Sequence, residues 1–147
     1  MQNLKTRFKA KLAFVIPPLL LIWQSTLAAS AVIANPGIGV DSLTKEQVSQ
    51  IFLGNITTLP NGTRIVVADH QDGDPIKDAF YSTVLGMRPT QLKAYWAKII
   101  FTGEGLPPKA LFGDKSVKEF VASTPGAIGY ISAQSVDSSV KVLFQSK

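Results

Sequence analysis

Apolar positions along the chain fall into two alternating styles. Short continuous runs at residues 31–34 (AVIA), 64–68 (RIVVA), 127–131 (AIGYI) and 140–144 (VKVLF) read as strands. Their β-branched content and their bounding Asn, Pro and Gly residues fit that assignment. Between them, apolar residues recur every three or four positions. Val48, Ile51 and Phe52 share one helical face, as do Leu92, Tyr95, Trp96, Ile99 and Ile100, and again Val117, Phe120 and Val121. Thr44 with Gln47 forms the pattern of a capping box, and Gly54 closes that first helix. The spacing predicts further helices from Pro75 to near Gly86, from Pro89, and from Asp114 or Ser116. The apolar stripe of the Pro89 helix has to face a core or a partner. Residues 102–113 are rich in Gly and Pro and read as an ordered loop or a mobile flap. Strands alternating with helices predict a three-layer α/β sandwich around a mixed, mainly parallel sheet.

The chain is organised around residues 66–80, VVADHQDGDPIKDAF. Asp74 followed by Pro75 is a cap residue followed by a favoured first-turn residue, so a strand enters a loop and then a helix. Such a junction gathers main-chain N–H groups and the positive end of a helix dipole, a common anion site. Here the same junction carries Asp69, Asp72, Asp74 and Asp78. Two readings compete for it. In one, His70, Asp72, Gly73, Asp74 and Lys77 form a weak oxyanion site. In the other, Asp74 caps its own helix and the remaining acids are solvated.

Charge changes the picture mainly at the amino terminus. Lys5, Arg7, Lys9 and Lys11 precede an apolar run over 12–23 and a small-residue stretch over 28–31. That order predicts a secretory signal peptide over 1–31, cleaved after Ala28 or Ala31, and a periplasmic location. Pro17 and Pro18 interrupt the run, which is short for a membrane span. Without this segment, 11 of the 15 basic residues remain against 10 acidic ones. The balance is near neutral, and no basic stripe with interleaved aromatics points to nucleic acid. There is no cysteine, hence no disulfide, and the remaining residues suffice for one domain over 32–147.

Three segments in order carry a resemblance: 43–57 (LTKEQVSQIFLGNIT), the strand-loop-helix 65–80, and 124–131 (TPGAIGYI). The chain resembles the periplasmic substrate-binding proteins of phosphate ABC transporters, with their type 2 periplasmic-binding-protein fold. It is similar to one lobe of such a protein. In that family the ligand loop reads Arg, any residue, Asp, Gly, Ser, Gly, Thr. Here His70 stands at the arginine, Asp72 and Gly73 match, and Asp74, Pro75 and Ile76 replace the last three. The resemblance implies that Asp72 accepts a proton from bound phosphate. The substitutions remove hydroxyl donors and one main-chain donor and add a negative charge.

The resemblance implies binding of phosphate or another small oxyanion and, as partners, a membrane permease or sensor. The alternative is a ligand-free interaction module that binds a membrane or envelope protein, or a second copy of itself, through the surface a second lobe would cover. An apolar patch beside the 69–77 loop would favour the module, and a small basic pocket would favour the anion. No nucleophile motif accompanies His70, so no catalytic residue, cofactor or enzymatic activity is expected. The acids lack EF-hand spacing, and no metal site is expected.

Overall fold

The computed structural model describes residues 29–147. Residues 1–28 of the expected 1–31 leader lie outside the described residues. The elements in order are β1 (Ser30–Ala34), α1 (Lys45–Phe52), β2 (Val66–His70), α2 (Pro75–Phe80), α3 (Pro89–Thr102), β3 (Lys109–Leu111), α4 (Gly113–Ser123), β4 (Ala127–Ser132) and β5 (Lys141–Gln145). The strands form one sheet in the order β3-β2-β4-β1-β5. β2 runs parallel to both β3 and β4, whereas β1 lies antiparallel between β4 and β5. The mixed α/β sandwich expected from the sequence is thus observed.

Period-2 alternation in the central strands builds a core on each face of the sheet. Val32, Ala34, Ile128 and Tyr130 pack with Val48, Ile51 and Phe52 of α1 and with Phe80 of α2. Ala31, Ile33, Ala127 and Ile131 pack instead with Val117 and Val121 of α4. Burying each such side chain contributes about 1.5–3 kcal/mol, so α4 is held mainly by its two valines and their neighbours. Gly129 permits that approach, because a Cβ there would lie 2.8 Å from Val117 Cγ1 and 3.2 Å from Val121 Cγ2. Gly126 has φ 77°, and a Cβ on it would fall on the carbonyl oxygen of Arg64. The TPGAIGY segment is therefore a fold determinant: it lets the turn before β4 cross the chain entering β2.

Local signals explain most helix boundaries. Thr44 and Gln47 complete the capping box of α1, with Gln47 N–H donating to Thr44 Oγ1 at 3.2 Å and Thr44 N–H to Gln47 Oε1 at 2.9 Å. Asp74 caps α2 by accepting from Ile76 N–H at 3.1 Å. α2 passes into a single π-turn over Tyr81–Leu85, which Gly86 closes at φ 68°.

Three expectations need correction. β2 is displaced from 64–68 to Val66–His70, so Asp69 and His70 belong to the strand and not to the loop. Their polarity hid this, and their burial is supported by partners described below. The stretch 102–113 is not all loop, since Lys109–Leu111 pairs with Ala68, Asp69 and His70 as an edge strand. Finally, β1 starts at Ser30, which is buried and pairs with Ser132. A cut after Ala31 would divide this strand, whereas a cut after Ala28 leaves it whole.

α3 is the least covered helix. Leu92 alone is buried, and Tyr95 donates its hydroxyl to Leu53 O at 2.7 Å. Beyond that anchor the stripe runs into solvent: Ile100 and Phe101 are 51% and 92% exposed, and Leu106 and Phe112 further on are 80% and 74% exposed. Among the described residues, no helix is long and apolar enough to cross a membrane.

Candidate functional site

The carboxyl end of β2 carries the chemistry of the molecule. Asp69 is buried there and accepts four donors. Tyr130 of β4 donates its hydroxyl to Oδ1 at 2.5 Å, and the main-chain N–H of His70 donates to the same oxygen at 2.7 Å. Tyr81 donates to Oδ2 at 2.8 Å, and Lys77 Nζ lies 3.3 Å from that oxygen. Four donors around a buried carboxylate offset much of the cost of removing it from water. Its charge acts on its neighbours. Burial first, then the Asp69 charge and hydrogen bond, pushes both tyrosine hydroxyls far above their ordinary range, so they keep their protons and donate them to Asp69. Aromatic packing fixes the donors in turn: Phe80 stacks on Tyr130 with centroids 3.8 Å apart, and Phe52 meets Phe80 edge-on at 5.0 Å.

Lys77 links this buried cluster to the surface. Its amine donates to Asp72 Oδ1 at 2.8 Å while reaching Asp69. Burial pulls the lysine down, but the hydrogen bonds and charges of Asp72 and Asp69 outweigh it and hold the amine above its usual range. The hydrogen bond from Lys77 keeps the Asp72 carboxyl below the usual carboxylate range. At 90% side-chain exposure Asp72 is well hydrated, so the pair adds little stability; its effect is to orient the amine.

Asp69, Asp72, Gly73 and Lys77 form one wall of a groove of about 760 Å³. Asp78 of α2 and Lys93 of α3 bring further charge to it. The rest is largely apolar: Leu92, Trp96 and Ile100 from α3 face Pro107, Pro108 and Ala110 of the β3 segment. The five charged residues sum to −1, and Lys77 is already neutralised by carboxylates.

Of the five residues expected to bind ligand, Asp72, Gly73 and Lys77 reach the groove. His70 and Asp74 do not line it. His70 is fully buried, with Nδ1 3.1 Å from Asp74 Oδ2 and Nε2 2.9 Å from the main-chain oxygen of Tyr130. Asp74 is divided between that contact and the cap of α2. Both are therefore internal supports of the loop. The sequence reading gave no site role to Asp69, Tyr81 or Tyr130, nor to the α3 and β3 walls. Among the described residues no group of three or more acidic or histidine side chains is arranged to hold a metal ion.

No family model matches the chain. Its fold is nevertheless shared with receptors of phosphate transport. An ABC-type phosphate transport receptor from Vibrio cholerae is 23% identical with a TM-score of 0.62, the match covering 80% of this chain and 46% of that one. A protein assigned as a phosphate ABC transporter substrate-binding protein, with bound phosphate, from Clostridium perfringens is 27% identical with a TM-score of 0.61 over 80% and 45% of the two chains. PstS from Borrelia burgdorferi is 18% identical with a TM-score of 0.59 over 79% and 47%. The chain spans about half the length of these structures and matches one lobe of the phosphate-binding fold.

Proposed function

We propose that the chain is an exported, periplasmic binding module built on a single receptor lobe, and that the groove between the 71–74 turn, α3 and the β3 segment is its binding site. The observation that carries this reading is the composition of that groove. Its volume exceeds the needs of one tetrahedral anion, its larger part is apolar, and its charged wall is slightly negative. An apolar segment of an envelope or membrane protein, such as a permease or sensor, suits these walls better than free phosphate. The exposed side chains Ile100, Phe101, Leu106 and Phe112 extend the same apolar character beyond the groove. A second copy of the chain would cover the same face. The role is binding, with no catalytic step and no cofactor.

A second reading is favoured by one feature, the placement of Lys77 beside Asp72 and Gly73 on the groove wall. It is weak binding of phosphate or another small oxyanion, the ligand class of the structural neighbours.

Two measurements separate the readings. In calorimetric titration with phosphate at low and moderate salt, the module reading expects no saturable heat up to about millimolar, where binding falls to about 4 kcal/mol. In photo-crosslinking from position 97 within the native envelope, it expects a discrete adduct that is lost when Trp96→Ala is added. Saturable phosphate heat abolished by Asp72→Ala would overturn the module reading in favour of the second.

A further inference from the structure

His70 is the only histidine of the chain and is sealed inside the fold. Acceptors from three elements surround its ring. Asp74 Oδ2, at the start of α2, lies 3.1 Å from Nδ1; the main-chain oxygen of Tyr130 in β4 lies 2.9 Å from Nε2; Asp114 Oδ1 in the first turn of α4 lies 3.7 Å from Nε2. On its own strand, Asp69 is occupied with the main-chain N–H of His70, two tyrosines and Lys77. The ring of Tyr130 packs beside the imidazole at a centroid distance of 4.9 Å.

A carbonyl oxygen only accepts, so Nε2 must carry a proton. A carboxylate also only accepts, so Nδ1 must carry another. The ring that satisfies both contacts is the imidazolium. A neutral ring serves one contact and sets a bare lone pair against the other acceptor. The two sides differ in what happens next. Asp114 is independently held by the Ser132 N–H at 3.1 Å and the Ser135 hydroxyl at 2.7 Å. The Asp74 side chain keeps only its cap bond to Ile76, and Asp74 ends the 71–74 turn that carries Asp72 and Gly73 into the groove wall. That turn is otherwise held by two main-chain bonds of 3.2 Å, Asp74 N–H to Gln71 O and Gln71 N–H to Leu111 O.

We propose that His70 is a proton-controlled latch on the groove. Charged, it pins Asp74 and holds the turn; neutral, it releases Asp74, and the wall bearing Asp72 loosens while the β4–α4 side stays fixed. The inference rests on the groove being the binding site, as the regulation of that site.

The single histidine makes the test direct. The ring nitrogens of the exported protein are followed by ¹⁵N NMR from about pH 5 to 9, the range in which histidine changes charge. Amide protection factors, corrected for intrinsic exchange, are measured alongside. The expected result is two ring protons at the acid end and loss of the Nδ1 proton on raising the pH. At the same step, protection at residues 71–76 should fall at least tenfold while protection at 127–132 is unchanged. Asp74→Asn, which keeps a cap and can pair with a neutral ring, should make residues 71–76 insensitive to the step. A ring that keeps one state throughout, or protection at 71–76 that does not follow the ring, overturns the latch. Absence of any groove ligand alongside a working latch would instead overturn the binding function alone.

Discussion

Replacing Asp69 by Asn tests the logic of the buried cluster, because it keeps shape and removes charge. The new amide has two orientations, and neither fits. With NH₂ in place of Oδ1 it opposes the main-chain N–H of His70, a donor that cannot turn round. With NH₂ in place of Oδ2 it opposes the ammonium of Lys77. Either way one fixed donor loses its acceptor, at about 1–3 kcal/mol. The two tyrosines also exchange a charged acceptor for a neutral one, roughly 1 kcal/mol more in total. The expected loss is about 2–4 kcal/mol. Tyr81→Phe removes a donor but leaves the carboxylate three others, so it should cost less, and the double variant should fall short of additivity because both changes act on one network. Urea unfolding followed by tryptophan fluorescence reads this out. With a slope of about 1.5 kcal/mol per molar, the Asn variant should lower the midpoint by roughly 1.3–2.7 M. A shift below about 0.5 M, or a Tyr81→Phe variant weaker than Asp69→Asn, would refute the account of Asp69 as a charge held by four donors.

Other outcomes follow from the same geometry. Gly126→Ala should destabilise by about 2–4 kcal/mol in thermal or urea unfolding, since it combines a positive φ with a collision against the Arg64 carbonyl. The Asp72 carboxyl lies low and the Lys77 amine lies high, so the Asp72 contribution is present above its unfolded value and lost as pH falls through the depressed one. The Lys77 contribution is present below its unfolded value and lost only as pH rises through the raised one; NMR titration should place Asp72 below about 3.9, and Lys77→Met should return it there. Under the proposed export, mass spectrometry of the mature protein should find Ala29 at its amino terminus, and a start at Val32 would contradict the pairing of Ser30 and Ala31 in β1. Phe101→Ser with Phe112→Ser should leave the unfolding midpoint within about 0.5 kcal/mol of the parent while weakening partner capture, because both side chains are largely exposed.

What the sequence reveals and what it hides follow from the range of the forces involved. The capping box of Thr44 and Gln47, the Asp74–Pro75 start of α2 and the two glycines of TPGAIGY are local chemistry, and each was readable from neighbours a few positions away. The fold class followed from the alternation of periods. Sequence pattern puts Asp69 and His70 in a loop, because isolated polar residues disfavour a buried strand. The hydroxyl that justifies Asp69 comes from Tyr130, 61 positions on, and no periodicity reports a contact of that length. β3 escaped for the opposite reason: its three residues carry little pattern among flanking glycines and prolines, and its pairing with β2 defines it. The exposure of α3 is not legible in its sequence, since an apolar stripe looks the same whether a core or a partner covers it.

The position of β1 sets the order in which the protein can be completed. The first strand lies in the sheet between β4 and β5, the last two to be made, and the main-chain N–H of Ser146 donates to Ser30 O at 2.9 Å. The sheet is therefore closed by its two ends meeting. Both partners of β1 lie far along the chain, so β1 stays unpaired in any fragment that stops short of β4. Late, cooperative closure of the sheet is thus written into the strand order itself.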